Sequence, residues 1–439
     1  MSNLNIIPLP YSDDLITNYQ SLSNLPGFVL LESSDKQRGR YDIVTAMPYD
    51  SLKIHRNSAD IHNAFKLLQS MLPTHPSTCD LPFQGGAIGY IAYDVGEILA
   101  GIHSTPHSAN NMPLVDMRFY DWAIVVDHQL RSVNLVVANT QPETPAYMDE
   151  VQARWQRSSK SSSFILQQEL TPLISQSDYE YAFNAIHHDL KRGRSYQVNY
   201  TQPFLGQYTG EPWEIYKRVR AKNPVPYSAF LRATDGDIIS FSPERFLTME
   251  NGHVLTSPIK GTIKRSADPA LDQQLKLSLM ASSKDQAENV MIVDLLRNDL
   301  GKFAEPGSVK VTALCEVQSY NAVHHLVSNI EAICPQAIKS TQVFEACFPG
   351  GSITGAPKLE AMRIIHEHEP FSRGVYCGSI GYFSAHGRFD SNIAIRTLVA
   401  KQETLYLSAG GGIVIDSNCQ DEYQECFTKI AAIVNPMRA

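Results

Sequence analysis

Short apolar runs separated by polar turns dominate the first third of the chain. Four of them have the length and the content of β-branched and aromatic residues that predict strands: Gly27–Glu32, Gly85–Asp94, Trp122–Asp127 and Ser132–Ala138. The stretch from about residue 141 to residue 177 is polar and rich in serine, most densely in Ser158–Ser163. That composition predicts an exposed connection between two lobes.

Helical patterns and strands share the rest of the chain. Ser177 and Glu180 have the spacing of a capping box, so a helix is predicted to begin there and to end near Gly193. Apolar periodicity predicts further helices at Trp213–Lys222, Asp268–Leu300 (one or two helices), Ala356–Glu367 and about Gln420–Ile433. Strands are predicted at Tyr227–Arg232, Ile238–Met249, His253–Pro258, Val375–Val399 and Leu405–Ile415. This mixture predicts an α/β protein.

Composition narrows the class of protein. The 439 residues are 43% hydrophobic and 19% charged, which is typical of a soluble globular chain. The net charge of −8 disfavours nucleic acid or an anionic membrane as a partner. The start has neither the basic nor the apolar segment of a signal peptide, and no apolar run is long enough to cross a bilayer. Seven scattered cysteines without a CxxC pair favour reduced thiols, so we expect a cytoplasmic enzyme.

Two short segments carry an ionisable side chain within two residues of a proline. Lys260 lies between Pro258 and Gly261 in a restrained backbone. Taken alone it could be a surface lysine in a turn, but a buried lysine can lose its proton and attack carbon. Glu244 follows Pro243 and could be half of a surface ion pair. In an apolar setting it could instead protonate a leaving group.

Acidic helices and glycine-rich turns are the remaining candidates for a metal site or an anion-binding site. Glu288 lies in one predicted helix, and Glu422, Glu425 and Lys429 share one face of another. Two glutamates from separate helices would suit Mg²⁺, although solvated helix faces give the same spacing. The turns at 350–358 and 409–412 could present backbone N–H groups to an anion. Neither is a Walker motif, and a GxGxxG fingerprint is missing, which disfavours a nucleotide enzyme.

The order of these segments along the chain is more specific than any one of them. The ordered motifs are SPERF, PIKGT, AENVMIVDLLRNDLG, HHLVS, FPGGSITGAPK, GVYCGSIGYFSAHG, AIRT, AGGG and EYQECFTK. Together they resemble the chorismate-binding family of synthases, which includes the large subunits of anthranilate synthase and aminodeoxychorismate synthase and also isochorismate and salicylate synthases. The close resemblance covers about Tyr181 to Val434. A fainter one covers Leu30–Ser33 and Gly85–Asp94.

The resemblance implies a fold and a set of site residues. The expected fold is the anthranilate synthase component I-like sandwich of two facing antiparallel sheets with outer helices. An N-terminal region (1–160) and a chorismate-binding catalytic region (175–436) would interweave in it. Glu288 and Glu425 match magnesium ligands, and His325 matches a histidine near the reacting ring. The positions that match chorismate contacts are Gly261, Thr262, Tyr376, Arg396, Gly410, Gly411, Gly412 and Lys429.

Two positions distinguish the branches of the family. Members that add water to chorismate carry a lysine base where this chain has Gln197, and a glutamine cannot act as that base. Anthranilate synthases resemble PIAGT, whereas PIKGT is the pattern of aminodeoxychorismate synthases. The resemblance therefore implies that Lys260 adds to carbon 2 of chorismate while Glu244 protonates the departing 4-hydroxyl. Ammonia would then enter at carbon 4, and the product would feed 4-aminobenzoate and folate synthesis after a separate lyase.

The nitrogen source and two rival functions complete the sequence-based expectations. The G-x-C-x-G nucleophile turn of a glutaminase is missing, which implies a separate glutamine amidotransferase subunit. The nearer rival is an anthranilate synthase component I, which Lys260 disfavours. The other is an inactive tryptophan-sensing regulatory subunit, because parts of a tryptophan pocket are matched by Glu32, Ser33, Pro226 and Tyr227. Ser228 stands where inhibited enzymes have methionine, which disfavours feedback control.

Overall fold

The computed structural model describes residues 4–77, 79–102, 107–157, 162–320 and 323–438. Eleven α-helices form within these ranges: α1 (Ile16–Leu22), α2 (Ala64–Met71), α3 (Tyr93–Leu99), α4 (Pro145–Trp155), α5 (Gln176–Lys191), α6 (Pro212–Lys222), α7 (Pro269–Met280), α8 (Ser283–Gly301), α9 (Ser340–Cys347), α10 (Lys358–His368) and α11 (Cys419–Met437). None of them is long and apolar enough to span a membrane.

The same ranges contain 22 strands. In the first half they are β1 (Asn5–Leu9), β2 (Val29–Glu32), β3 (Tyr41–Thr45), β4 (Asp50–Ile54), β5 (Gly86–Ile91), β6 (Val115–Tyr120), β7 (Trp122–Asp127), β8 (Ser132–Val137), β9 (Phe164–Pro172), β10 (Gln197–Gly210) and β11 (Tyr227–Leu231). In the second half they are β12 (Asp237–Ser242), β13 (Arg245–Glu250), β14 (His253–Thr256), β15 (Ile259–Lys264), β16 (Lys310–Ser319), β17 (Val323–Ile333), β18 (Gly355–Ala356), β19 (Ser379–Ser384), β20 (Phe389–Asn392), β21 (Thr397–Lys401) and β22 (Thr404–Ile413).

These strands form two antiparallel sheets. The 12-stranded sheet has the order β1-β8-β7-β3-β2-β11-β12-β21-β22-β10-β18, and β9 also pairs with β10. The 10-stranded sheet has the order β15-β17-β14-β13-β20-β19-β5-β6-β4, and β16 also pairs with β17. Each sheet takes strands from both ends of the chain. The expected sandwich of two antiparallel sheets with helices is confirmed.

Three hydrophobic clusters hold the layers together. Residues of both sheets, among them Val125 and Ile380, pack into one cluster between the sheets. A second cluster joins the 12-stranded sheet to helices, with Trp155 and Trp213 fully buried in it. A third joins the 10-stranded sheet to α2, α3, α8 and α9. Each sheet therefore buries one face against the other sheet and its opposite face against helices, as its nearly continuous apolar strands require.

Several predicted boundaries differ from the structure. The cap of α5 is Ser175, whose Oγ accepts the backbone N–H of Asp178 at 3.1 Å, so the predicted capping box at Ser177 is wrong. The predicted connection at 141–177 contains α4 and β9, and its residues 158–161 lie outside the described residues. Of the one or two helices predicted at 268–300, the structure forms two, because the chain breaks at Ala281–Ser282 and Ser282 caps α8.

The predicted strand Ile238–Met249 is in fact two strands that belong to different sheets. β12 lies in the 12-stranded sheet and β13 in the 10-stranded sheet, with Pro243 and Glu244 between them. Proline has no N–H to donate to a ladder, so pairing stops there. The chain passes back between the sheets at 393–396, where the N–H of Ile393 donates to the Glu244 carbonyl at 3.1 Å. The two crossings lie together and carry Glu244 and Arg396 to the same place.

Candidate active site

A cavity of about 520 Å³ opens beside the two sheet crossings. The residues proposed from the sequence that line it are Glu244, Lys260, Gly261, Thr262, Glu288, His325, Tyr376, Arg396, Gly410, Gly412, Glu425 and Lys429. They come from β15, β17, β22, α8 and α11, and from the segments that join β12 to β13, α10 to β19 and β20 to β21. Residues far apart in the sequence therefore meet in one cavity.

A β-bulge presents Lys260 and Thr262 to the cavity. Lys260 pairs with Leu326 of β17 and Thr262 pairs with His325, so Gly261 is an extra residue in β15. Gly261 has φ +72°, which favours glycine, and a Cβ there would lie 2.9 Å from the Leu279 side chain. The glycine of the PIKGT motif is thus needed both for its backbone conformation and for close packing against α7.

Glu244 is buried, with only 8% of its surface exposed. Burial raises the pKa of its carboxyl above the ordinary value, while the Lys260 charge and a hydrogen bond with Ser352 oppose that rise. Its own N–H donates to Ser242 Oγ at 3.2 Å, which fixes the backbone at the crossing. A carboxyl in this setting keeps its proton more readily than one in water and can act as an acid.

His325 is also buried and contacts two side chains through its ring nitrogens. Its Nδ1 lies 2.8 Å from Thr262 Oγ1, and its Nε2 lies 3.3 Å from Arg38 Nη1. Burial, with the charges of Arg38 and Arg396, lowers the pKa of His325 to about 4. The imidazole is therefore neutral near pH 7.

Arg396 supplies a positive charge to the cavity. Burial and the neighbouring Arg38 charge lower the pKa of its guanidinium. Among the described residues, no carboxylate forms a salt bridge with Arg396, whereas Arg38 is paired with Asp35 at 2.7 Å. An arginine without a counter-charge in a partly enclosed cavity is suited to an anionic ligand.

Three glutamates of α8 and α11 occupy one side of the cavity. Burial raises the pKa of Glu288, and the Glu425 charge acts in the same direction. Glu425 lies 2.5 Å from Lys429 Nζ, and Glu422 accepts a hydrogen bond from Ser417 Oγ at 2.7 Å. Among the described residues, the oxygens of Glu288, Glu422 and Glu425 are not all within 4.8 Å of one another. The three carboxylates therefore do not form one compact group. Glu288 and Glu425 nevertheless fit Mg²⁺, which commonly takes one or two carboxylates and fills its other positions with water and substrate.

The glycines of β22 are closely packed, and a Cβ at Gly410 would lie 2.1 Å from the Tyr200 carbonyl oxygen, which leaves no room for a side chain there. A Cβ at Gly411 would lie 2.8 Å from Glu422 Oε2, and one at Gly412 would lie 2.5 Å from Gln197 Nε2. Gly411 and Gln197 do not line the cavity. Gln197 is fully buried beneath Gly412, and its amide has no hydrogen-bond partner within the described ranges.

The four residues of the suggested tryptophan pocket line a second cavity, of about 330 Å³. Ser33 Oγ donates to the Pro226 carbonyl at 3.1 Å. Glu32 accepts from Arg220 Nε at 2.6 Å, and burial raises its pKa to about 7. Arg38 lines this second cavity as well as contacting His325. Its side chain therefore lies in the wall between the two cavities.

Several lining residues were not identified from the sequence: Asn199, Lys284, Asp285 and Ser408. Glu422, predicted to share a helical face with Glu425, also lines the cavity, as do Ser352 and Ile353 of the glycine-rich turn at 350–358. Lys284 and Asp285 have a weak signal in the sequence, because they begin the helix that carries Glu288. The contact of Arg38 with His325 joins positions 287 residues apart, and nothing local in the sequence indicates it.

Known proteins match this chain over almost its whole length. The sequence model of the chorismate binding enzyme family matches residues 27–435. Aminodeoxychorismate synthase component 1 of Salmonella typhimurium is 43% identical, and the match covers 98% of each chain. The protein of the same name in Escherichia coli is 40% identical, again over 98% of each. The crystal structure of anthranilate synthase component I from Streptococcus pneumoniae superposes with a TM-score of 0.82 and 30% identity, covering 90% of this chain and 92% of that one.

Proposed function

This chain belongs to the chorismate-binding enzyme family, and from that premise we propose that it aminates chorismate at carbon 4 as component 1 of an aminodeoxychorismate synthase. It is an enzyme of that family, similar to aminodeoxychorismate synthase component 1. The observation that carries the finer proposal is Lys260. It lines the same cavity as the buried Glu244. The PIAGT pattern of anthranilate synthases has alanine at the position of Lys260.

Chorismate binding is supported by the charge of the cavity. The substrate is a dianion, and the Arg396 guanidinium has no carboxylate partner among the described residues. Gly410 and Gly412 bring the backbone of β22 to the cavity wall without a side chain in between. These groups would hold the two carboxylates and leave the ring between Lys260 and Glu244.

In the first displacement, Lys260 would act as the nucleophile and Glu244 as the acid. In the form that reacts, Glu244 holds the proton and the Lys260 amine is neutral. The amine forms a bond to carbon 2, the two ring double bonds each shift by one position, and the bond between carbon 4 and oxygen breaks. The proton of Glu244 joins the departing hydroxyl, which leaves as water. Glu244 is then a carboxylate, and the lysine nitrogen carries a positive charge.

Ammonia would complete the reaction by a second displacement. It forms a bond to carbon 4, the double bonds return, and the bond between carbon 2 and the lysine nitrogen breaks, which restores the neutral amine. One proton of the new ammonium group returns to Glu244. The sum of the two steps replaces the hydroxyl with an amino group and releases one water. The enolpyruvyl ether remains, so a lyase would be needed to form 4-aminobenzoate for folate.

Mg²⁺ would be held by Glu288 and Glu425, with Glu422 beside them. Its chemistry there would be to neutralise a substrate carboxylate and orient the ring. Glu422 accepts a hydrogen bond from Ser417 and lies close to Gly411, so it can hold the first turn of α11 against β22. Lys429 shares its charge between Glu425 and the Gly410 carbonyl, 2.8 Å away.

A glutamine amidotransferase subunit would supply the ammonia. The name of the relatives, component 1, implies a second component. The sequence also lacks the cysteine turn that a glutaminase needs. The proposed complex is therefore a heterodimer in which this chain does the chemistry on chorismate.

Product analysis tests the proposal directly. The purified chain is supplied with chorismate, Mg²⁺ and an ammonium salt, and the product is identified by mass and by the position of its nitrogen. We expect 4-amino-4-deoxychorismate. A product with nitrogen at carbon 2, or anthranilate, would assign the chain to the anthranilate branch. Complete inactivity of folded protein would favour the regulatory alternative.

A further inference from the structure

Arg38, in the N-terminal part of the chain, contacts His325 in the wall of the active-site cavity. Its Nη1 lies 3.3 Å from His325 Nε2, and its Nε donates to Asp35 Oδ2 at 2.7 Å. The guanidinium carbon lies 4.7 Å from the centre of the Tyr320 ring. Only 11% of the side chain is exposed. An ion pair, an aromatic contact and burial therefore hold the guanidinium in place against the imidazole.

This contact determines which nitrogen of His325 carries the proton. A guanidinium has donors only, so His325 Nε2 must accept. In a neutral imidazole the other nitrogen then carries the hydrogen, so Nδ1 donates to Thr262 Oγ1 at 2.8 Å. An imidazolium would place an N–H against the guanidinium, and Arg396 would add a second positive charge nearby.

The tautomer of His325 in turn determines where the Thr262 hydroxyl donates its hydrogen. When Oγ1 accepts from His325, its own hydrogen is free to donate elsewhere. Thr262 lines the cavity on the bulge that also carries Lys260. With the opposite tautomer, Thr262 would donate to Nδ1 instead, and its hydrogen would not reach a ligand. Arg38, His325 and Thr262 therefore form a directed chain of hydrogen bonds that ends in the cavity.

We propose that Arg38 is a positioning residue, which holds His325 with the proton on Nδ1 and so makes Thr262 a hydrogen-bond donor to an oxygen of the substrate. In this arrangement His325 acts on the substrate through the Thr262 hydroxyl. The identity of that substrate, chorismate, rests on the proposed function. The state of the histidine does not.

Nitrogen-15 NMR of the substrate-free, full-length protein, labelled at histidine and assigned with His325→Gln, tests the tautomer without any assay of activity. In the wild type we expect Nδ1 of His325 to be protonated and Nε2 to show the shift of an unprotonated acceptor. Arg38→Met should convert His325 to the other tautomer or to a mixture. Arg38→Lys, which keeps a donor, should restore the wild-type pattern. A wild-type protein with the proton on Nε2 would overturn the proposal.

Steady-state kinetics test the consequence for the substrate. Loss of one hydrogen bond to a charged oxygen should raise KM for chorismate about tenfold in Arg38→Met, with a smaller change in kcat. Thr262→Val should have a similar effect, and the double variant should be little worse than either single one, because both changes remove the same interaction. Additive losses would show that Arg38 acts by another route.

Arg131→Met is the matched control. Arg131 also pairs with an aspartate, Asp13, at 3.0 Å and lies over a tyrosine ring, Tyr11, at 5.0 Å, but it belongs to a different surface. Its replacement should leave both the His325 spectrum and KM unchanged. If the wild type forms no aminodeoxychorismate while the expected tautomer is observed, the proposed function fails and the hydrogen-bond chain stands. If the product forms but Arg38→Met leaves the tautomer and KM unchanged, the proposal for Arg38 fails alone.

Discussion

Replacing Glu244 with glutamine removes an acid while keeping the shape of the side chain. The carboxyl is 8% exposed, and burial raises its pKa, so the protonated form persists to higher pH than it would in water. Glutamine preserves the volume and can still form a hydrogen bond with Ser352, but it cannot release a proton to the 4-hydroxyl. The substitution therefore isolates proton transfer from packing.

The expected loss is large and falls on turnover. Removing a general acid typically costs about 10²–10⁴-fold in rate, which corresponds to about 3–5 kcal/mol of transition-state stabilisation. kcat with saturating chorismate and ammonium should fall by that factor, and the dissociation constant for chorismate should change little. The wild-type rate, expressed per free ammonia, should decline as pH rises through the raised pKa of Glu244. Glu244→Gln should lack that decline.

Stability provides the control for this variant. A buried carboxyl with a raised pKa binds its proton more tightly in the folded protein than in the unfolded chain. Stability is therefore lost as pH rises above the unfolded pKa, and the loss is complete above the folded pKa. Glutamine carries no such penalty, so the melting temperature of Glu244→Gln near pH 7 should be at least that of the wild type. An unchanged kcat with weaker chorismate binding would refute the role of acid and make Glu244 a binding residue.

Three further outcomes are expected. Glu425→Gln should lose most activity and keep the wild-type melting temperature, and excess EDTA should stop the wild-type reaction; full turnover in EDTA would contradict the Mg²⁺ assignment. The isolated chain should use ammonium better at elevated pH, where free ammonia is more abundant, and should ignore glutamine; glutamine turnover by pure protein would reveal a glutaminase centre. Lys260→Ala restores PIAGT and should direct some nitrogen to carbon 2, as detected by product mass and absorbance.

Much of the fold could be predicted because its signals are local or ordered. β7 has the predicted bounds and β8 is shorter by only one residue, since each is a run of β-branched residues closed by a turn. The overall sandwich followed from the order of many motifs. The two sheet crossings could not be predicted, because the apolar pattern of β12 continues into β13 while the chain changes sheet at Pro243. Periodicity reports that a residue is buried and does not report which layer covers it.

In the candidate site, too, residues within sequence motifs could be predicted and residues placed only by the packing of layers could not. Lys260, Glu288 and Glu425 lie in recognisable motifs, and they share one cavity. Arg38 has no such motif, and its contact with His325 exists only because β2, β3 and the segment between them are folded against the second half of the chain. Contacts of this kind depend on the packing of whole layers, so a sequence read segment by segment does not contain them.

A covalent adduct on Lys260 tests the central claim most directly. The protein is mixed with chorismate and Mg²⁺ while ammonia is withheld, then denatured, digested and analysed by mass spectrometry. The peptide that contains Lys260 should gain the mass of chorismate less one water. Lys260→Arg should show no adduct and almost no 4-amination, because its guanidinium stays protonated. An unmodified Lys260 peptide, together with wild-type 4-amination by Lys260→Arg, would contradict covalent catalysis by this lysine.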